Sequence, residues 1–211
     1  MFRSLEDVID VAVHATDGEI GKVRNFLFDD ESWKIRYLVV GVGSWLSRRD
    51  AIIAVSAVEQ PDWENKNFRT RLTRDQVRHS PDVDSKKPVS WQQEIAMSEY
   101  YGWPGYWEDS RNLEFPLIHG PVGREFPVHT KEDPHLRSAE AVSGYEVWDE
   151  DREIGRLENF IVDEASWHIG YLDVKAGDWL HSRSVLVPTR WVESISWADD
   201  RVHLHHTPEK A

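Results

Sequence analysis

Cysteine is absent from all 211 residues. That absence excludes a disulfide framework and a thiol nucleophile. Long apolar runs are missing too, and none approaches the ~20 residues needed to span a bilayer. At the start of the chain (MFRSLEDVIDVAV) Glu6, Asp7 and Asp10 occupy the place where a secretory signal keeps an apolar core. These absences predict a soluble, cytoplasmic protein with no membrane insertion. Positive charge is scarce: 25 Lys and Arg stand against 38 Asp and Glu, a net charge of −13. Residues 1–79 carry 12 basic and 13 acidic residues, 80–137 carry 6 and 10, and 138–211 carry 7 and 15. A phosphate backbone requires clustered positive charge, so nucleic acid is not an expected partner, least of all for the last third. Solubility accounts for most of the acidity.

What is present is a duplication. The stretch EIGKVRNFLFDDESWKIRYLVV (19–40) returns as EIGRLENFIVDEASWHIGYLDV (153–174), offset by 134 residues without a gap. From 17 to 63, 20 of 47 positions are identical at that offset. They include Gly21/Gly155, Asn25/Asn159, Asp29/Asp163, Trp33/Trp167, Tyr37/Tyr171, Trp45/Trp179 and Arg49/Arg183. A register held that long implies two copies of one structural unit. Each copy has about 70 residues, a size that buries a limited core. The 11 tryptophans offset this, because each aromatic can bury roughly 150–250 Å².

Within the first copy, 5–14 reads as a strand and Asp17-Gly18 as a hairpin turn. Strands follow at 20–28, 34–42, 51–55, 58–63 and 67–72, separated by turn residues. Six short, closely spaced strands predict a small antiparallel barrel, which removes exposed sheet edges. Thr73 caps a short helix at 74–78, and Ser90 with Gln93 opens a helix at 91–101. In the second copy Arg152 stands where the first has Gly18, so its hairpin needs a different turn. The fold class is mainly β: two small antiparallel barrels from an internal duplication, with short helices after the first. The expected division is a first barrel at 1–79, a helical tail at 80–107, a linker at 108–137 and a second barrel at 138–211.

The stretch GEIGKVRNFLFDDESWKIRYLVV resembles the PRC-barrel family, the fold of the cytoplasmic domain of the photosynthetic reaction centre H subunit and of the ribosome maturation factor's C-terminal domain. LTRDQVRHSPDVDSKKPVSWQQEIAMSEYYGWPGYW is similar to the tail of free-standing bacterial tandem PRC-barrel proteins, and VSGYEVWDEDREIGRLENFIVDEASWHIGYLDV fits a second copy. The resemblance implies a small barrel that docks onto other proteins, and no reaction. It carries over neither specific role: the membrane helix of the reaction-centre subunit is missing, and a second, acidic barrel replaces the ribosome factor's RNA-side domain.

Candidate chemistry is sparse. The segment GEIGK (18–22) lacks the spacing of a phosphate loop and reads as hairpin glycines. Asp149, Asp151 and Glu153 have calcium-loop spacing, but Ile154 and Phe160 occupy the positions that need Gly and Glu. His203 and His205 fall on one face of a last strand, and two ligands are fewer than zinc requires. No nucleophile elbow or singled-out carboxylate pair appears, so no catalytic residue, cofactor or enzyme activity is expected. Asn25/Asn159 and Asp29/Asp163 are expected to bond backbone near turns, and Trp33/Trp167 to fill the barrel ends. The loop residues Trp45, Leu46 and Arg49, with Trp179, Leu180 and Arg183, are the candidate binding residues. Trp and Arg dominate interface hot spots, and apolar loop tips are costly unless covered. The expected function is a non-catalytic protein–protein interaction or assembly module in a bacterium, with a stress-linked or regulatory role. A small-molecule, chromophore or metal carrier and a ribosome-associated factor are the alternatives. The duplication suggests a pseudo-dimer within the chain or a homo-oligomer, in the simplest case a dimer.

Overall fold

The computed structural model describes residues 1–44, 47–59, 61–62, 64–81, 91–103, 117–119, 125–127, 136–177 and 183–205. The first repeat runs through β1 (Phe2–Ser4), a 3-10 turn at Glu6–Val8, β2 (Ala12–Ala15), β3 (Gly18–Asp29), β4 (Lys34–Ser44), β5 (Ser47–Ala54), a 3-10 turn at Val55–Ala57 and β6 (Asn67–Arg69). Helices α1 (Arg74–Arg78) and α2 (Trp91–Tyr101) follow, then a hairpin of β7 (Leu117–His119) and β8 (Glu125–Pro127). The second repeat comprises β9 (Leu136–Ser138), α3 (Ala139–Val142), β10 (Glu146–Asp149), β11 (Arg152–Asp163), β12 (His168–Ala176), β13 (Arg183–Pro188), a 3-10 turn at Thr189–Trp191, β14 (Val192–Ser196) and β15 (Arg201–Leu204). The segment read as a linker, 108–137, thus holds the β7–β8 hairpin and the start of β9 among its described residues.

Local chemistry sets these elements. Gly18 turns the first hairpin at φ 136°; in the second, Glu150 takes the left-handed position at φ 50°. The α1 cap is as expected: the Thr73 hydroxyl accepts from the Gln76 N–H, and the Gln76 side chain accepts from the Thr73 N–H. Gly21 and Gly155 are required by close approach. A Cβ there would lie 1.9 Å from the Gly41 carbonyl oxygen and 2.2 Å from that of Lys175.

Three strand expectations are corrected. The 5–14 strand is a 3-10 turn at Glu6–Val8 followed by β2, because the Val8 N–H closes onto the Leu5 carbonyl and Asp10 sits at φ 64°. Among its described residues the 58–63 strand is reduced to two isolated bridges, Val58 with Thr70 and Asp62 with Asn67. Its counterpart in the second repeat is the full strand β14. Nor is the pairing all antiparallel: β2 lies parallel to β6, and β10 parallel to β15.

Each repeat has the same path. The order is β6-β2-β3-β4-β5 in the first and β14-β15-β10-β11-β12-β13 in the second. The hydrogen-bonded path is open among the described residues. In the second repeat β13 continues through its 3-10 turn into β14, so one bent segment supplies both ends of the path.

The repeats exchange their first strands. β1 pairs with β11 of the second repeat, Phe2 opposite Asp163. β9 pairs with β3 of the first repeat, Leu136 opposite Asp29. These registers are identical under the offset of 134, since 2 + 134 is 136 and 29 + 134 is 163. The repeats also meet where Lys34 faces His168. There the Ile35 N–H donates to the Trp167 carbonyl at 2.8 Å, and the Ile169 N–H to the Trp33 carbonyl at 2.7 Å. The chain is therefore a pseudo-twofold pair. One apolar cluster runs through both repeats, with the Phe28 and Phe160 rings 5.3 Å apart across the seam.

Candidate functional site

The exchange explains the polar residues that the duplication keeps. Asn25 Nδ2 donates to Ser138 Oγ at 2.7 Å, and Asn159 Nδ2 to Ser4 Oγ at 2.6 Å. Asn25 Oδ1 also accepts from the N–H groups of Phe26 and Glu140. Arg137 pairs with Asp30 at 2.6 Å, and Arg3 with Glu164 at 2.5 Å. These asparagines pin the borrowed strand rather than only their own turn. Asp29 does serve its turn, accepting from the N–H groups of Glu31 and Ser32 and from Arg36. Burial alone would raise its pKa; the Ser32 N–H and the Arg36 guanidinium outweigh that and hold it below 3.8. Trp33 and Trp167 lie at the seam, not at barrel ends. Both have left-handed backbone (φ 54° and 56°); the Trp33 ring stacks on Phe28 and the Trp167 ring meets Phe68 of the other repeat edge-on. That backbone is strained for a bulky residue, and the paired carbonyl bonds across the dyad hold it.

Of the expected binding residues, Trp45, Leu46, Trp179 and Leu180 lie outside the described residues. Arg49 is engaged within the chain: its guanidinium donates to the carbonyls of Arg78 and Ser80 and to Ser80 Oγ at 2.7–2.8 Å, capping the end of α1. Arg183 is exposed at the start of β13. His203 is half-buried on β15, and His205 is exposed just beyond it. Among the described residues no group of three or more His, Asp or Glu side chains is placed to hold a metal ion.

A cleft of about 630 Å³ is found in the second repeat, beside β10, β11 and β15. At its rim Glu146 pairs with Arg156 at 3.0 Å and Arg201 at 3.4 Å, and accepts from Trp148 Nε1. The Trp148 bond, with the two arginines, lowers the Glu146 pKa. The Arg201 guanidinium lies 4.4 Å from the centre of the Trp148 ring. Burial, with Asp200 close by, pushes the Tyr145 phenol up to about 12. The cluster around Glu146 is ion-paired internally.

The outer faces of the two sheets differ more. Alternation along β4, reset by a bulge between Ile35 and Tyr37, sends Ile35, Leu38 and Val40 to the shared core and Tyr37 and Val39 to the other side. There Leu27, Tyr37, Val39, Ile52, Ala54 and Leu136 are buried with Met97 of α2, while Tyr101 and Trp103 pack against them. The Tyr101 and Trp103 rings stack at 4.1 Å, and the Ser98 hydroxyl donates to the Trp103 carbonyl. In the second repeat the equivalent positions are Ile161, Tyr171, Asp173, Leu186, Pro188 and Phe2. Leu186 is 52% exposed and Phe2 56% exposed. The Phe2 ring stands edge-on to Tyr171 at 5.5 Å. Sequence reading missed this asymmetry. Its signal was an apolar outer face in both repeats, with Asp173 in the second where the first has Val39.

The PRC-barrel domain model matches the chain twice, at residues 2–77 and 135–210. These spans cover most of the chain, which therefore belongs to the PRC-barrel family as a tandem of two such domains. Each match includes the strand that its repeat lends to the other. No curated protein matches the chain. Among the described residues no helix is long and apolar enough to cross a membrane.

Proposed function

We propose that this protein is a non-catalytic protein–protein interaction module, and that the outer sheet face of its second repeat docks a protein partner. One observation carries the reading: Leu186 and Phe2 are more than half exposed on a face whose twin is buried beneath α2. Apolar clusters left in solvent mark interaction sites. A two-repeat body with a common core presents that face rigidly, which lowers the cost of ordering on binding. The tryptophan loops, with exposed Arg183 at the end of one, belong to the same reading as a second contact region. The test is quantitative affinity capture with the wild-type chain, Leu186→Asp and Trp45→Ala/Trp179→Ala, each checked for folding. A partner lost with Leu186→Asp supports the face, and one lost only with the double variant moves the site to the loops. Capture unchanged by every variant overturns the proposal.

A further inference from the structure

The pseudo-twofold axis carries the argument one step beyond that reading, on which it rests, because it shows what kind of object covers such a face. On the first repeat the cover is an eleven-residue helix, α2, which buries Met97 and Ser98 and half-buries Tyr101. The backbone beneath the second face has the same strand order and the same registers, so a helix has an equivalent seat there. This is helix-on-surface recognition with anchors three and four residues apart. At equivalent strand positions the second repeat is the more acidic. In the first repeat Arg24 lies across Gly41 on the outer side, and α2 brings two glutamates and no Lys or Arg. In the second repeat Glu158 replaces Arg24, and Asp173 replaces the buried Val39 in the middle of the face. Asp173 accepts from the Ser184 hydroxyl and stays half-exposed, and Glu158 pairs with the exposed Lys175.

We propose that the second-repeat face binds an amphipathic helix of another protein, with an aromatic or Met stripe toward Phe2, Tyr171 and Leu186 and a basic residue toward Asp173. A second copy of this chain is a poorer occupant. Residues 138–211 carry 7 basic and 15 acidic residues, so two such faces brought together repel each other.

The test uses the full chain and two synthetic peptides. One has the α2 sequence, residues 91–103, and the other has the same sequence with Glu94→Lys and Glu99→Lys. Isolated helices this short are marginal in water, so both are stapled on the face away from Met97 and Tyr101. The expected result is binding of the lysine peptide about tenfold tighter than the native one, from the change of like to unlike charge. NMR shifts should centre on Tyr171 and Leu186. Asp173→Lys should remove or invert the preference, and Leu186→Asp should abolish binding of both peptides. Equal affinity for the two peptides, or binding that survives Leu186→Asp, overturns the inference. So does a concentration-dependent dimer that Leu186→Asp dissolves, which would assign the face to a second copy. If both peptides fail while Leu186→Asp still loses a captured protein, the interaction module stands and only the basic helix falls.

Discussion

At the scale of single residues the chain spends its polar groups on joining its halves. Asn25 is almost fully buried and uses both ends of its amide, so Asn25→Ala leaves the Ser138 hydroxyl and two backbone N–H groups short of partners. The expected cost is about 1–3 kcal/mol in urea unfolding, with Asn159→Ala costing less because that site is partly exposed. Two ionisable groups give opposite pH signatures. Asp29 is held below its ordinary value of 3.8, so its contribution to stability is present above that value and fades as pH falls through the folded-state pKa. Asp29→Asn is expected to lower stability at pH 7 and to narrow the difference from wild type at pH 3. Tyr145 is pushed from 10.0 to about 12, so its contribution is present below pH 10 and lost as pH rises toward 12. Tyr145→Phe should flatten the alkaline loss of stability over that window, measured by denaturant titration at pH 9 and 11.

At the scale of elements, β1 is the segment whose removal is most informative. It is three residues long and stands at the front of the first repeat, yet its hydrogen bonds go to Ile161–Asp163. Deleting residues 1–4 should speed amide hydrogen exchange in β11 while leaving β4 and β5 protected. A strand that served its own repeat would give the reverse pattern. The duplication, both helices after the first barrel and the long strands 18–29 and 34–44 were legible in the sequence, because the Thr73–Gln76 capping box, the hairpin glycine and β-branched runs are local signals; the Ser90–Gln93 cap expected for α2 lies outside the described residues. The exchange was not. FRS and LRS carry no period of their own, and an internal repeat fixes which residues correspond without fixing which copy they pair with. The 5–14 segment shows the same limit: Val8, Val11 and Val13 are all fully or nearly fully buried, but Val8 sits in a 3-10 turn and only Val13 in an extended strand. As for the site, the aromatic loops drew attention by composition, whereas the bare face needed the comparison of one repeat with the other.

At the scale of the whole molecule the two barrels have one core and lend each other a strand. Equilibrium unfolding should therefore be a single transition, coincident by tryptophan fluorescence and far-UV circular dichroism. Two separated transitions would show that the seam contributes little. Gly155→Ala, which would drive a Cβ to 2.2 Å from the Lys175 carbonyl, should lower the stability of both repeats together.

The reciprocal exchange also sets a schedule for synthesis. A ribosome releases Phe2–Ser4 long before the strand they pair with exists, and completes β3 before Leu136–Ser138 arrive to cover its edge. At elongation rates of about 5–20 residues per second, the 109 residues from Asp29 to Ser138 take roughly 5–22 s and the 159 from Ser4 to Asp163 roughly 8–32 s. For that time the nascent first barrel displays an open strand edge, and the emerging N-terminus can be matched by any neighbouring chain on the same message whose β11 is already made. Polysome crowding is thus a route to tangled pairs in which one molecule's opening strand completes another's second barrel.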